Sequence, residues 1–144
     1  NINQSIQWCD LETLKNETII GCFFSNELVD AFPVHQVMVQ NRQLQEIYIT
    51  VDPQTTTDIK FKETIAELST ENLTDYFKLI EIDLCSPAYP EGYRTEVNLM
   101  ALDWIKTIAS KLNQGFILTI DYGYPAQRYY LPSRREGTLQ CYYQ

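Results

Sequence analysis

Long apolar runs are missing from this sequence. The longest, such as Ile19–Phe24, fall far short of the ~20 residues a helix needs to cross a bilayer, so no membrane association is expected. Basic charge is scarce as well. Lys and Arg number 11 against 19 Asp and Glu, a net charge of −8, and no basic stripe is present to displace counterions from phosphates. Nucleic acid is therefore not an expected partner. All five glycines (Gly21, Gly92, Gly115, Gly123, Gly137) stand alone, which excludes a dinucleotide fold carrying its own Gly-rich fingerprint. Cys9, Cys22, Cys85 and Cys141 form no C-x-x-C pair, and His35 is the single histidine. No metal is expected from that spacing. Free thiols and a reducing compartment are expected instead, with Cys22 a buried thiol because it lies inside an apolar run. No charged-then-apolar leader precedes the first strand. A chain of 144 residues opening on Asn1 reads as one domain or an excised piece of one.

The composition that is present, 44% hydrophobic and 21% charged, is that of an ordinary globular protein. Thr18–Phe24 and Gly115–Ile120 are short, continuous, β-branched and aromatic runs. Such runs suit strands of a parallel sheet covered on both faces, and the two are expected to pair in parallel. Between them Val97, Met100, Ala101, Trp104, Ile105, Ile108, Ala109 and Leu112 recur at helical period, with Glu96 near the start, Lys111 near the end and Gly115 as the stop. Trp104 lies on that stripe and is expected in the core. Val37 and Val39, then Ile47, Ile49 and Val51, then Ile59 and Phe61, alternate at period two. Turns are expected at Asn41–Gln43 and Asp52-Pro53, giving an antiparallel meander. A further helix carries Leu73, Tyr76, Phe77 and Ile80 on one face, capped by Ser69 or Thr70.

Chemistry is expected where the two apolar runs end, because ligands of open α/β sheets bind beyond the carboxyl ends of strands. Ser25-Asn26-Glu27 with Asp30 follows one run, and Asp121-Tyr122-Gly123-Tyr124 follows the other. Two readings of the first stand open. If the next residues are helical, Glu27 and Asp30 are i, i+3 neighbours able to hold a cation, a metal or a guanidinium. Alternatively Asn26 caps that helix and Glu27 sits in its first turn, where an acid is favoured. His35 is either a hydrogen-bonded structural residue or a base. Arg134-Arg135 reads as a solvated pair, or as an anion contact if it overlies a pocket. Asn-Glu after a buried strand also occurs in glycosidase barrels, but such a barrel needs roughly 250 residues.

Four ordered blocks carry a more specific signal: Ser25-Asn-Glu-Leu-Val-Asp-Ala-Phe-Pro-Val-His35, Gly92-Tyr-Arg-Thr-Glu-Val-Asn98, Ile120-Asp-Tyr-Gly-Tyr124, and Arg134-Arg-Glu-Gly-Thr-Leu-Gln-Cys-Tyr-Tyr143. Together they resemble the MidA-like methyltransferases, a complex I assembly-factor family of mitochondria and bacteria. The resemblance implies an α/β, Rossmann-like class I fold (here partial), with an inserted antiparallel β-meander and helical region on the substrate side. It places residues 1–33 and 94–144 in the C-terminal half of the core and 34–93 in the insertion. The cofactor implied is S-adenosyl-L-methionine. The family's Gly-rich motif and the acid after its second strand have no counterpart here, so catalysis by this segment alone is not expected.

By the same resemblance, Glu27 and Asp30 bind a guanidinium, Asn26 lies on the methyl-transfer rim, and His35 is a base or orienter. Asp121, Tyr122 and Tyr124 form the opposite, substrate-binding rim. Cys9 and Asp10 contact the cofactor. The function implied is protein-arginine N-methylation linked to respiratory complex I assembly, in a bacterial cytoplasm or a mitochondrial matrix. The partner is then a protein substrate with an arginine target. The alternative is a non-catalytic assembly module that holds a basic peptide in an acidic pocket. A half-sheet also leaves an unpaired edge, so a homodimer is a further expectation.

Overall fold

The computed structural model describes residues 6–52 and 59–140, and the chain divides into two compact units. The first lies within residues 1–32 and 100–122. It holds a short 3-10 turn at Leu11–Thr13, strand β1 (Ile19–Asn26), helix α2 (Leu99–Lys111) from Met100 onward, and strand β6 (Leu112–Ile120). As the apolar runs predict, β1 and β6 pair in parallel, from Ile19 opposite Leu112 to Asn26 opposite Ile120.

Helix α2 enters β6 without a loop, so Gly115 is not its stop but lies inside the strand, opposite Gly21. The reason is backbone proximity. A Cβ on Gly115 would lie 1.8 Å from the Gly21 carbonyl oxygen, and Gly115 has φ 139°. The open carbonyls at the end of α2 are taken by the chain approaching β1: Glu17 N donates to Ser110 O at 2.9 Å and Thr18 N to Lys111 O at 3.1 Å. This is the usual remedy for a helix end. On the stripe, Ile108 is buried, while Met100 and Ile105 stay exposed. Trp104 is half-buried and meets Phe32 edge to face at 6.2 Å.

Alternation along the strands divides the sheet into unequal faces. Phe23, Ser25 and Ile117 are shielded, whereas Ile20 (73% exposed), Phe24, Phe116 (78%), Leu118 and Ile120 face outward. Cys22 lies on that open face, opposite Phe116, and its thiol is free and exposed. The expectation of a buried Cys22 fails because apolar neighbours in sequence occupy both faces of a strand, and only one of them is covered here. Cys9 and Cys85 are also free thiols; Cys141 lies outside the described residues.

The second unit lies within residues 33–99 and 123–144. Strands β2 (His35–Gln40), β3 (Gln43–Val51), β4 (Phe61–Ala66) and β5 (Arg94–Val97) form its antiparallel sheet, in the order β4-β3-β2-β5. A two-residue turn at Asn41 and Arg42, with φ 52° and 59°, joins β2 to β3. Left-handed backbone at both positions matches the right-handed twist of a hairpin. Ile59 falls outside β4, and the turn expected at Pro53 lies outside the described residues.

Helix α1 (Asn72–Leu79) lays Leu73 and Phe77 into a core with Val37, Val39, Leu84, Tyr93, Val97 and Tyr130. Thr70 Oγ1 accepts from Asn72 N at 3.3 Å, so Thr70 assists the start of α1. Tyr130 follows the single turn α3 (Ala126–Tyr129). Glu96 lies three residues before the start of α2, in the strand that precedes it. It is buried in β5, where its carboxylate accepts from Thr138 N, Leu139 N, Thr138 Oγ1 and Tyr129 OH at 2.9–3.2 Å. Residues 94–99 and 123–144 group with the antiparallel sheet in the second unit: β5 pairs with β2, and Glu96 accepts from Thr138 and Leu139.

Replacing Gly115 with Ala should cost about 2–4 kcal/mol, because the methyl group meets backbone that cannot move aside. Replacing exposed Ile49 with Ala should stay within about 0.5 kcal/mol. Urea melts of the two variants check this, and equal midpoints would contradict the Gly21–Gly115 register.

Candidate functional site

The ends of β1 and β6 lie side by side, and Asn26 leads into a loop, not a helix. Glu27 turns the chain with φ 47°, a left-handed conformation that costs a non-glycine residue about 1–2 kcal/mol. Its N–H continues the ladder, donating to Ile120 O at 2.9 Å. Asp121, the first residue past β6, then holds the loop. Its Oδ2 accepts from Val29 N at 2.8 Å and from Asp30 N at 3.2 Å, and its Oδ1 accepts from Tyr122 N at 2.8 Å.

Both helix-based readings of Asn26, Glu27 and Asp30 are therefore corrected. Asn26 caps nothing, Glu27 occupies no helical turn, and Asp30 is not one turn along from Glu27. The N–H groups that a helix start would leave open are satisfied by Asp121 instead. The Asp121 carboxylate thus anchors the loop.

Glu27 and Tyr122 do come together. The Tyr122 hydroxyl donates to Glu27 Oε1 at 3.3 Å. The charge on Glu27, its hydrogen bond, partial desolvation, and the charges of Asp30 and Asp121 all push the Tyr122 hydroxyl up from its ordinary value of 10.0, so it stays a donor at physiological pH. Glu27 and Asp30 are exposed, and neither has an ion-pair partner among the described residues. Nor does any group of three His, Cys, Asp or Glu among them converge to hold a metal. The result is an unpartnered carboxylate beside a hydroxyl donor, suited to an organic cation.

The other expected site residues lie elsewhere. Cys9 and Asp10 are exposed beside the 3-10 turn, where Asp10 uses its carbonyl to accept from Thr13. Tyr124 belongs to the second unit, where the guanidiniums of Arg128 and Arg134 each stand 4.5 Å from its ring centroid. Arg134 is thus stacked rather than merely solvated.

His35 opens β2 in the second unit, and its Nδ1 lies 2.7 Å from Glu46 Oε1. Glu46 is buried at 5% exposure, and its other oxygen accepts from Tyr48 OH at 3.0 Å and Ser69 N at 2.7 Å. Burial pushes the Glu46 carboxyl up, but the bonds from His35, Ser69 and Tyr48 outweigh it and hold the group below its ordinary 4.5. Glu46 was not among the residues singled out from sequence. The signal was available in the hairpin: an Asn41-Arg42 turn sets Glu46 opposite Val37, which shares a strand face with His35.

Comparison with known proteins then places the chain. A family described as "Putative S-adenosyl-L-methionine-dependent methyltransferase" matches residues 1–144, and the chain belongs to it. Two solved structures from Burkholderia thailandensis are similar. One, a COG1565 superfamily member bound to S-adenosyl-homocysteine, is 27% identical over 92% of this chain and 30% of its own, with a TM-score of 0.71. The other, an uncharacterized COG1565 superfamily protein, is 28% identical over 96% of this chain and 33% of its own, with a TM-score of 0.75. The chain thus spans about a third of the length of either. No curated protein matches it. No helix of the described residues is long and apolar enough to cross a membrane.

The family's cofactor is S-adenosylmethionine. The described residues do not make a cradle for it: Cys9 and Asp10 project into solvent, and no Gly-rich turn comes after either β1 or β6.

The carboxylates of Asp121 and Glu46 each generate a test. Replacing Asp121 with Ala should release the loop, raising hydrogen exchange at the Val29 and Asp30 amides at least tenfold while α2 amides keep their protection. Unchanged exchange at both amides would contradict the anchor. Glu46 titrates lower in the folded chain than unfolded, so its contribution to stability is present above pH 4.5 and is lost as pH falls through the lower folded value. Acid titration followed by circular dichroism should show that loss, and Glu46→Gln should flatten it.

Proposed function

We propose that this chain is the acceptor-side part of an S-adenosylmethionine-dependent methyltransferase, that its acceptor is a protein arginine, and that Glu27 recognises the guanidinium. The sheet of β1 and β6 is then part of a Rossmann-like class I core, and the antiparallel unit lies on the substrate side. The setting carried by the MidA-like blocks is respiratory complex I assembly, in a bacterial cytoplasm or a mitochondrial matrix. Asn26 lies on the methyl-transfer rim beside Glu27, and Tyr124 is a substrate contact of the second unit in this reading.

One observation supports it above the others. Glu27 adopts left-handed backbone at the end of β1, and its carboxylate has Tyr122 OH as neighbour and no cation among the described residues. Strained non-glycine backbone concentrates at ligand-binding positions. An arginine stays protonated in proteins, so a carboxylate can align its planar fork by charge-assisted bonds. Methyl transfer is an in-line displacement in which the protein chiefly supplies position. A carboxylate that orients the guanidinium without closing on its own lysine or arginine meets that need.

The experiment pairs two variants of Glu27, made in the whole methyltransferase of which this chain is proposed to be a part. Glu27→Gln removes a charge-assisted bond worth roughly 1.5–3 kcal/mol, or about ten- to a hundredfold in rate at ~1.4 kcal/mol per decade. Methylation of an arginine peptide should fall by that factor while the melting temperature holds. Glu27→Gly should abolish the same recognition yet raise stability by about 1 kcal/mol, since it relieves the left-handed backbone. Full activity in both variants would refute the assignment. Peptide binding without any transfer by the wild type would leave the module that holds a basic peptide.

A further inference from the structure

Two arginines of the second unit share one aromatic ring, and neither guanidinium is used within the chain. We propose that Arg128 and Arg134, held by Tyr124, bind a phosphoryl monoester. The clamp lies wholly in the second unit and depends on neither the methyltransferase reading nor Glu27.

The contrast with the other arginines carries the inference. Arg42 Nη1 donates to the carbonyls of Ser86 and Tyr89 at 3.3 and 2.9 Å. Arg94 pairs with Glu63 at 2.6 Å, and Arg135 lies 3.6 Å from Glu136. The guanidiniums of Arg128 and Arg134 have no carboxylate or carbonyl acceptor among the described residues. Each stands instead 4.5 Å from the centroid of the Tyr124 ring. A guanidinium stacks by its face and directs its N–H donors outward in its own plane. The ring therefore holds both groups without consuming a donor. Sharing one ring also limits their separation to twice that distance, about the span of one phosphate with a fork on either side.

The backbone beneath the clamp is fixed. Arg128 lies in α3, its N–H donating to Pro125 O at 2.9 Å, and Arg134 N closes a turn onto Leu131 O at 2.9 Å. Between them Tyr130 is buried, and its hydroxyl donates to Glu96 O at 3.0 Å. That bond ties the segment to β5, so the two forks are presented from a structured support.

Charge and shape select the ligand. Two guanidiniums match the charge of a monoester, roughly −1.5 to −2, and its three terminal oxygens accept from both forks. A carboxylate has two oxygens, enough for one fork. A phosphodiester carries a single charge, and a net charge of −8 repels a polyanion at long range, so nucleic acid is not the ligand.

The test uses the whole protein of which this chain is proposed to be a part, with its arginine side chains labelled with 15N. Arg128→Lys and Arg134→Lys assign the two guanidinium signals. Titration with inorganic phosphate at constant ionic strength should move both along one saturating curve, while the signals of Arg42, Arg94 and Arg135 stay in place. Arg134→Gln should weaken the affinity read at Arg128 at least about tenfold, the loss of a charge-assisted pair. Arg135→Gln should leave it within about twofold. Tyr124→Leu keeps both charges but removes the ring, and should weaken binding about two- to fivefold with the melting temperature unchanged.

Phenyl phosphate should bind as tightly as inorganic phosphate, and dimethyl phosphate and acetate at least about tenfold more weakly. A phosphoserine peptide that binds more tightly than phenyl phosphate assigns the ester to a protein chain; equal affinity assigns it to a small molecule. Shifts that do not saturate, or that are as large at Arg135 as at Arg128 and Arg134, would overturn the site. Acetate binding as tightly as phosphate would overturn the phosphoryl assignment.

Discussion

The carboxylate of Asp121 governs the arrangement at the strand ends. Parallel pairing sets Asn26 beside Ile120, so the next residue of one strand is within reach of the loop that leaves the other. Asp121 takes the N–H groups of Val29 and Asp30, and the loop no longer needs a helical turn to satisfy them. Glu27 is thereby held with φ 47°, and its side chain is turned to solvent beside Tyr122. Two acids at neighbouring strand ends so acquire opposite tasks. One accepts from backbone amides; the other accepts from the Tyr122 hydroxyl and has no ion-pair partner among the described residues.

The same device recurs in the second unit. Glu46 accepts from Ser69 N, and Glu96 from Thr138 N and Leu139 N. Buried carboxylates are costly unless fully hydrogen-bonded, and each of these meets that condition through N–H or O–H groups of loops that would otherwise lack partners. Part of the acidic excess of the chain is therefore structural. It anchors irregular segments to strands. What distinguishes Glu27 is that no loop amide has claimed it.

Much of this was legible in the residues, and the failures have one cause. Continuous apolar runs identified β1 and β6, because strands of a parallel sheet present apolar side chains alternately to both faces. The alternating stretch from Val37 to Val51 identified the antiparallel sheet for the corresponding reason. Ser25-Asn26-Glu27 misled, since a cap followed by an acid is a good helix start on local grounds. The competing acceptor, Asp121, lies 92 residues from Val29, beyond any local pattern. The same holds for β5 and Glu96, whose roles depend on β2 and on the tail. Cys22 failed because alternation shows which residues share a face but not which face is covered. Glu46 was within reach, since the Asn41-Arg42 turn sets the hairpin register that brings it to His35. Of the candidate site, the two strand ends that carry Glu27 and Tyr122 were legible as apolar runs stopping at polar residues, while the hydrogen bond between the two side chains depends on parallel pairing across 95 positions.

In the reading proposed for Glu27, acceptor recognition rests on a carboxylate that selects a guanidinium. The most direct measurement offers the whole methyltransferase, of which this chain is proposed to be the acceptor-side part, two peptides, identical except that each arginine in one is lysine in the other, together with isotopically labelled S-adenosylmethionine. Tandem mass spectrometry then locates the label. A planar fork fits two oxygen acceptors where a compact ammonium does not, so label should appear on arginine nitrogen and be at least tenfold lower on the lysine peptide. Equal labelling of both peptides, or label on lysine alone, would contradict the assignment of Glu27 to guanidinium recognition.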